Sequence, residues 1–241
     1  MADLDRRLVD LYDVDNPDGP DHDLWRALAD ERDARCVLDL GCGTGVLTVT
    51  LAPPGRTVVG VDPSATMLDR ARHRPGGDRV TWVLGDSRSI PTDEYDLALM
   101  TGNVAQHVGD DDWPRTLRDV RSVLRPGGTL GFESRNPRGR AWTQWTTSGR
   151  SVRPTEHGPL EEWSTAEEVA PGLVRLVASN RFTADDGETL EYTEDLRFRD
   201  RDELVRDVRA AGFGAVEVFG DWQRGPFEDD AAVMVFVATA D

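Results

Sequence analysis

Val37-Leu38-Asp39-Leu40-Gly41-Cys42-Gly43-Thr44-Gly45 is the stretch on which the reading of this chain turns. Three apolar residues around one acid read as a short central strand, and glycine at every second position then demands a turn with close backbone approach. Such a turn after a first strand makes a ligand site. By itself it serves dinucleotides, nucleotides and sulfonium cofactors alike.

Reading downstream, Val46 to Ala52 is ambiguous between strand alternation and a helix, and its place after the turn favours a helix stopped by Pro53-Pro54-Gly55. Thr57 to Val61 predicts a second strand ending at Asp62, followed by a helix with Pro63 in its first turn and Met67, Leu68 and Ala71 inside. Asp62 lies 21 residues beyond Gly41, where an acid at the end of a second parallel strand can accept both ribose hydroxyls. Arg79 to Leu84 gives a third strand leading to Gly85-Asp86-Ser87, and Tyr95 to Met100 a fourth opening into Thr101-Gly102-Asn103. Strand and helix alternate, which predicts an open parallel sheet with helices on both faces and ligands beyond the carboxyl ends of its strands. The glycine turn, Asp62, Asp86 and Gly102-Asn103 all fall at such ends.

A helix over 112 to 124, closed by Arg125-Pro126-Gly127-Gly128, precedes a fifth strand, Thr129 to Glu133. Alternating runs near 160 to 169, 173 to 183 and 188 to 199, separated by Ala170-Pro171-Gly172 and Asp185-Asp186-Gly187, predict an antiparallel meander. A helix from Arg201 to Ala211 and two strands, 215 to 219 and 232 to 239, close the chain. Upstream, residues 3 to 13 have helical spacing, and a second helix capped by Asp21 or Asp23 runs through Leu24, Trp25 and Leu28. These helices either cover a sheet face or form a lid, with Tyr12 and Trp25 touching a ligand. The expected organisation is an N-terminal helical lid (1–34), a ligand-binding core (35–135), an antiparallel insertion acting as substrate cap or interface (136–199), and a C-terminal helix and hairpin that complete the core (200–241).

Composition excludes several classes. With 28 basic and 45 acidic residues among 241 the net charge is −17, which disfavours nucleic acid and anionic membrane surfaces as partners. Every basic residue is Arg, so chemistry that needs a Schiff-base or phosphate-loop lysine is absent. No signal-peptide core or membrane-length apolar run is seen, and a cytoplasmic location is expected. Cys36 and Cys42 flank an extended strand that keeps them too far apart to pair. No His, Asp and Glu cluster has metal-ligand spacing, so no metal is expected.

Taken together, Val37 to Gly45, Gly60-Val61-Asp62-Pro63-Ser64-Ala65-Thr66-Met67-Leu68, Gly85-Asp86 and Leu124-Arg125-Pro126-Gly127-Gly128-Thr129-Leu130 resemble a class I S-adenosylmethionine-dependent methyltransferase. The glycines at 41, 43 and 45, with Val at 46, depart from the dinucleotide pattern. The resemblance implies a Rossmann-like seven-stranded, mostly parallel sheet with a C-terminal antiparallel strand, here with the meander inserted after strand five. It implies that Gly41, Cys42 and Gly43 meet the methionine part of the cofactor while Asp39 buttresses the turn, and that Asp62 binds the ribose. Pro63 and Met67 would flank the adenine, Asp86 would accept from its amine beside the Ser87 backbone, and Thr101 and Gly102 would lie near the cofactor amino group.

Methyl transfer from a sulfonium is an in-line displacement, for which the protein aligns a nucleophile and removes its proton. Asn103, Gln106 and His107 stand where this family faces substrate, and His107 suits a general base, although a histidine bonded to backbone is the plainer reading. Arg135, Trp142, Trp145 and Trp163 could line a pocket for a small molecule, or equally form the core of the meander or an interface in a homodimer. The expectation is methyl transfer to an O or N atom of a small-molecule acceptor. A cofactor-binding protein with a non-methylating or regulatory role is a rival, and a nicotinamide-dependent oxidoreductase a weaker one.

Overall fold

A computed structural model describes residues 3–184 and 187–241. Two helices, α1 (Arg6–Asp15) and α2 (Pro20–Glu31), precede β1 (Cys36–Leu40) and β2 (Thr57–Asp62). Then come α3 (Ala65–His73), β3 (Val80–Leu84), β4 (Tyr95–Met100), α4 (Val104–His107), α5 (Trp113–Val123) and β5 (Leu124–Arg135). Four strands follow, β6 (Ser151–Thr155), β7 (Gly158–Ala170), β8 (Leu173–Phe182) and β9 (Leu190–Arg197). The chain closes with α6 (Arg201–Ala210), β10 (Phe213–Phe219) and β11 (Val233–Ala240).

The large sheet has the order β10-β11-β5-β4-β1-β2-β3, and β11 alone pairs antiparallel with both its neighbours. Its central strands are covered on both faces, and the period of two sorts their residues. Leu38 and Leu40 of β1 and Phe236 of β11 pack with Trp113, Leu117, Leu204 and Val208 from α5 and α6. Val37, Val235 and Val237 pack on the other face with Trp25 and Leu28 of α2. The second sheet, β6-β7-β8-β9, is the antiparallel insertion. It rests on α1 through Leu8, Leu11, Leu160, Phe182 and Leu190.

Several expectations change. Residues 46 to 52 form a single 3-10 turn at Thr48–Leu51 and no α-helix. Thr48, Val49 and Thr50 are β-branched, Thr48 gives its hydroxyl to Asp39 at 2.6 Å and Thr50 gives its own to Leu47 O, and the residue before Pro53 is barred from helical geometry. α2 starts at Pro20 behind Gly19, with no side-chain cap, so Asp21 and Asp23 lie in its first turn, where they favour the helix dipole. Leu124 belongs to β5, not to the preceding helix. The meander has four strands among the described residues; β6 escapes a sequence reading because it is short, mostly exposed and carries Pro154, which its place at the sheet edge tolerates. Part of the turn expected at Asp185-Asp186-Gly187 lies outside the described residues.

Candidate functional site

β1, β2, β4 and β5 run parallel and end along one edge of the large sheet, with the turn after β1 among those ends. Gly41 (φ 80°) must lack a side chain, since a Cβ there would stand 2.4 Å from Val104. Gly43 (φ 52°) differs: a Cβ would meet nothing within 4 Å, so its outer face is open to a ligand. Gly102 after β4 is open in the same way.

Asp62 ends β2 with its carboxylate folded back onto the turn. One oxygen accepts from Gly43 N at 2.8 Å and the other from Ser64 N at 2.9 Å. Each keeps a lone pair for a further donor such as a ribose hydroxyl. Burial raises its pKa against the pull of those two bonds. Asp39 is fully buried beneath the turn; one oxygen takes the Thr48 hydroxyl, the other has no partner, and burial lifts the pKa to about 6. Cys42 is buried, and burial raises its thiol well above the ordinary range. Met67 is buried on α3 and Pro63 is exposed before it. Asp86 is partly exposed, with its carboxylate held by Arg88, which lowers its pKa. Ser87 turns its hydroxyl to Asp119 of α5 at 2.7 Å, leaving only its backbone to a ligand.

A second group of side chains adjoins these strand ends. His107, at the end of α4, meets Glu194 of β9 through Nδ1 at 2.6 Å. The plainer expectation, a bond to backbone, is replaced by a carboxylate from the second sheet. Tyr12 of α1 is raised in pKa by burial and by the nearby charges of Asp62 and Glu194, with Arg135 acting in the opposite sense. Arg135 is bonded to Gln106 Oε1 at 2.9 Å, and its guanidinium lies 5.3 Å from the Trp145 ring. Asn103 begins α4 with φ 62°, and its backbone N donates to Glu133 Oε1 at 2.6 Å.

α1 is fastened across both halves. Asp13 accepts from the Thr44 hydroxyl at 2.5 Å and pairs with Arg74. Asp10 meets His157 at 3.1 Å and Asp15 meets Arg153 at 2.7 Å, both on the second sheet side. Two expected ligand contacts lie elsewhere. Trp25 is wholly buried in the core of the large sheet, where its ring takes the room that Gly131 leaves. Trp142 is buried with Val174, Leu196 and Phe198 in the small core of the insertion. Trp163 lies under Arg150 at 4.2 Å.

Glu194, Glu133, Asp13 and Thr44 carry no functional reading in the sequence. Glu194 sits in an alternating strand where an outward acid is ordinary, and its partner is 87 residues away. The acid at 133 differs: it lies in an otherwise apolar strand run, Leu130 to Phe132, and an acid there is the one local signal available.

The residues fit a sulfonium cofactor. Open backbone faces at Gly43 and Gly102 and a ribose-compatible acid at Asp62 suit a molecule that carries hydroxyls and lies against the backbone. No group of three or more His, Cys, Asp and Glu able to hold a metal occurs among the described residues, and no described helix is long and apolar enough to cross a membrane.

Comparison with known proteins agrees. A family profile described as a methyltransferase domain matches residues 37–128. Demethylmenaquinone methyltransferase of Clavibacter sepedonicus is 31% identical over 208 residues, which take in 80% of this chain and 73% of that protein. The sugar N-methyltransferase KedS8 from Streptoalloteichus has the same fold, with a TM-score of 0.79 at 19% identity, over 100% of this chain and 95% of that one. An uncharacterized 37.1 kDa protein in a transposon of Streptomyces fradiae is 40% identical over 107 residues, 42% of this chain; the match spans only 30% of that relative's length.

Proposed function

The chain belongs to the class I S-adenosylmethionine-dependent methyltransferases, and from that premise we propose that it transfers a methyl group to a nitrogen or oxygen atom of a small-molecule acceptor. Bound S-adenosylmethionine supplies an electrophilic methyl carbon on a sulfonium sulfur. In this reading Asp62 holds the ribose, and Gly41, Cys42, Gly43, Thr101 and Gly102 line the amino-acid end. Pro63, Met67, Asp86 and the Ser87 backbone surround the adenine, with Arg88 orienting Asp86.

The acceptor side is the work of His107. With Nδ1 bonded to Glu194, a neutral imidazole donates there and keeps the Nε2 lone pair for the proton of the acceptor. Tyr12, Asn103, Arg135 and Trp145 bound the same space. Besides burial, the charges of Asp62, Glu194 and Asp13 raise the pKa of the Tyr12 hydroxyl and Arg135 opposes them, and that negative balance favours an amine over an acidic acceptor. Residues 1–34 act in part as a lid, because α1 is tied both to the glycine turn and to the second sheet, and residues 136–199 cap the acceptor.

The observation that carries this reading is the 2.6 Å His107–Glu194 contact beside the proposed cofactor site. Its test is His107→Ala and His107→Gln. Turnover of an amine or phenol acceptor should fall by about 10²–10⁴-fold while S-adenosylhomocysteine binds within about twofold of the parent. Undiminished turnover across pH would place the base elsewhere, and binding of NAD in place of the sulfonium cofactor would sink the reading as a whole.

A further inference from the structure

Glu133 belongs to none of the sequence stretches that point to the cofactor, yet it is 2% exposed at the carboxyl end of β5, beside the end of β4. Its Oε1 accepts the backbone N–H of Asn103 at 2.6 Å, and Gly102 precedes Asn103 in the turn that follows β4. Those two residues are consecutive and both left-handed, with φ of 72° and 62°. Asn tolerates that conformation better than other side-chain-bearing residues, at a small cost that a fixed contact offsets. The outer face of Gly102 is open, so the turn leaves its backbone free for a ligand while Glu133 grips it at Asn103.

We propose that Glu133 is a positioning residue, which holds the Gly102–Asn103 turn in its double left-handed form and so sets the surface against which the amino-acid end of the cofactor lies. The inference rests on the cofactor site described under the proposed function. Three further observations support it. Glu133 Oε2 is buried and has no partner, a costly arrangement for an ionised carboxylate and a tolerable one for a neutral acid. Burial, with the charge of Asp21 adding to it, pushes the pKa of Glu133 up to about 8, against the opposing effects of the turn amides and of Arg135. Gln106, one turn along α4, bonds Arg135, two residues along β5, so the helix that follows the turn is tied to the same strand. A neutral amide can replace a neutral acid here, because it too presents a carbonyl oxygen to the turn.

The test compares Glu133→Gln with Glu133→Leu in the full-length protein, with S-adenosylhomocysteine as the calorimetric probe. Glu133→Gln should bind it within about threefold of the parent, and Glu133→Leu at least tenfold more weakly. Hydrogen exchange supplies a readout that a general loss of packing would not reproduce. In Glu133→Leu the amide of Asn103 should lose protection while those pairing β5 with β11 keep theirs. Should the leucine variant fail to fold, the glutamine variant still decides: it should keep binding within about threefold of the parent and keep the Asn103 amide protected. Parent-like binding by Glu133→Leu, or binding by Glu133→Gln more than about tenfold weaker than the parent's, overturns the proposal. Failure of the parent itself to bind S-adenosylhomocysteine would instead overturn the cofactor site.

Discussion

The two sheets bury themselves in different ways. In the large sheet β4 is buried at five of its six residues, and helices cover both faces. In the small sheet β7 buries only Leu160 among the residues from Gly158 to Ala170, and cohesion comes from two small clusters, one closed by α1 and one by Trp142. A sheet covered on both faces is rigid and places strand ends accurately, which suits a cofactor bound by backbone and short acids. A sheet held by a helix and a few anchors brings Glu194 to His107. The two regions thus differ in how they are built: the proposed donor site is made by local structure, and the proposed acceptor site by contacts between distant segments.

Phe182→Ala strikes the weaker region hardest. The ring is 1% exposed and joins β8 to α1, so its loss should cost about 3–5 kcal/mol of stability, read by chemical denaturation. If the regions are as separate as they look, affinity for S-adenosylhomocysteine should change by less than about tenfold. A larger loss would merge them.

Glu133→Gln probes the rigid region through pH. The folded pKa is raised from 4.5 to about 8, so the native protein holds a proton that the unfolded chain releases, and its stability falls as pH rises across that window. The glutamine variant lacks this loss. Its advantage over the parent should be absent below pH 4.5, grow through the window, and reach on the order of a few kcal/mol above pH 8.

Asp62→Asn should weaken S-adenosylhomocysteine about 10–100-fold, because a charged acceptor of hydroxyl donors is replaced by a neutral one with a single carbonyl oxygen. Titration calorimetry measures it, and unfolding of the small sheet should not shift with it. The smallest effect belongs to Arg153→Ala. Arg153 pairs with Glu162 and with Asp15 of α1, but its side chain keeps 31% exposure and solvent screens both pairs, so the cost should stay below about 1 kcal/mol.

The donor region was legible because its information is local. The glycine spacing, the acid 21 residues on, and the strand period all lie within one stretch, and the parallel sheet follows from their alternation. The acceptor region was legible only in part. His107 stood out as a titratable residue after β4, but Glu194, and the link from Asp13 to Thr44, join segments 87 and 31 residues apart, which no periodicity records. Trp25 and Trp142 read from sequence either as ligand contacts or as core residues, and the structure takes the second alternative for both, because Gly131 and Phe198 offer them a buried seat that periodicity does not record. β6 was hidden by its proline and its exposed surface.

Where the cofactor sulfur points is decisive, and a crystal structure of the chain with S-adenosylhomocysteine shows that directly. The ribose should lie on Asp62, the amino-acid end against Gly43 and the Gly102–Asn103 turn, and the sulfur should face the space bounded by Tyr12, His107 and Arg135. A sulfur turned away from His107, or a molecule bound without contact to Asp62, would contradict this arrangement.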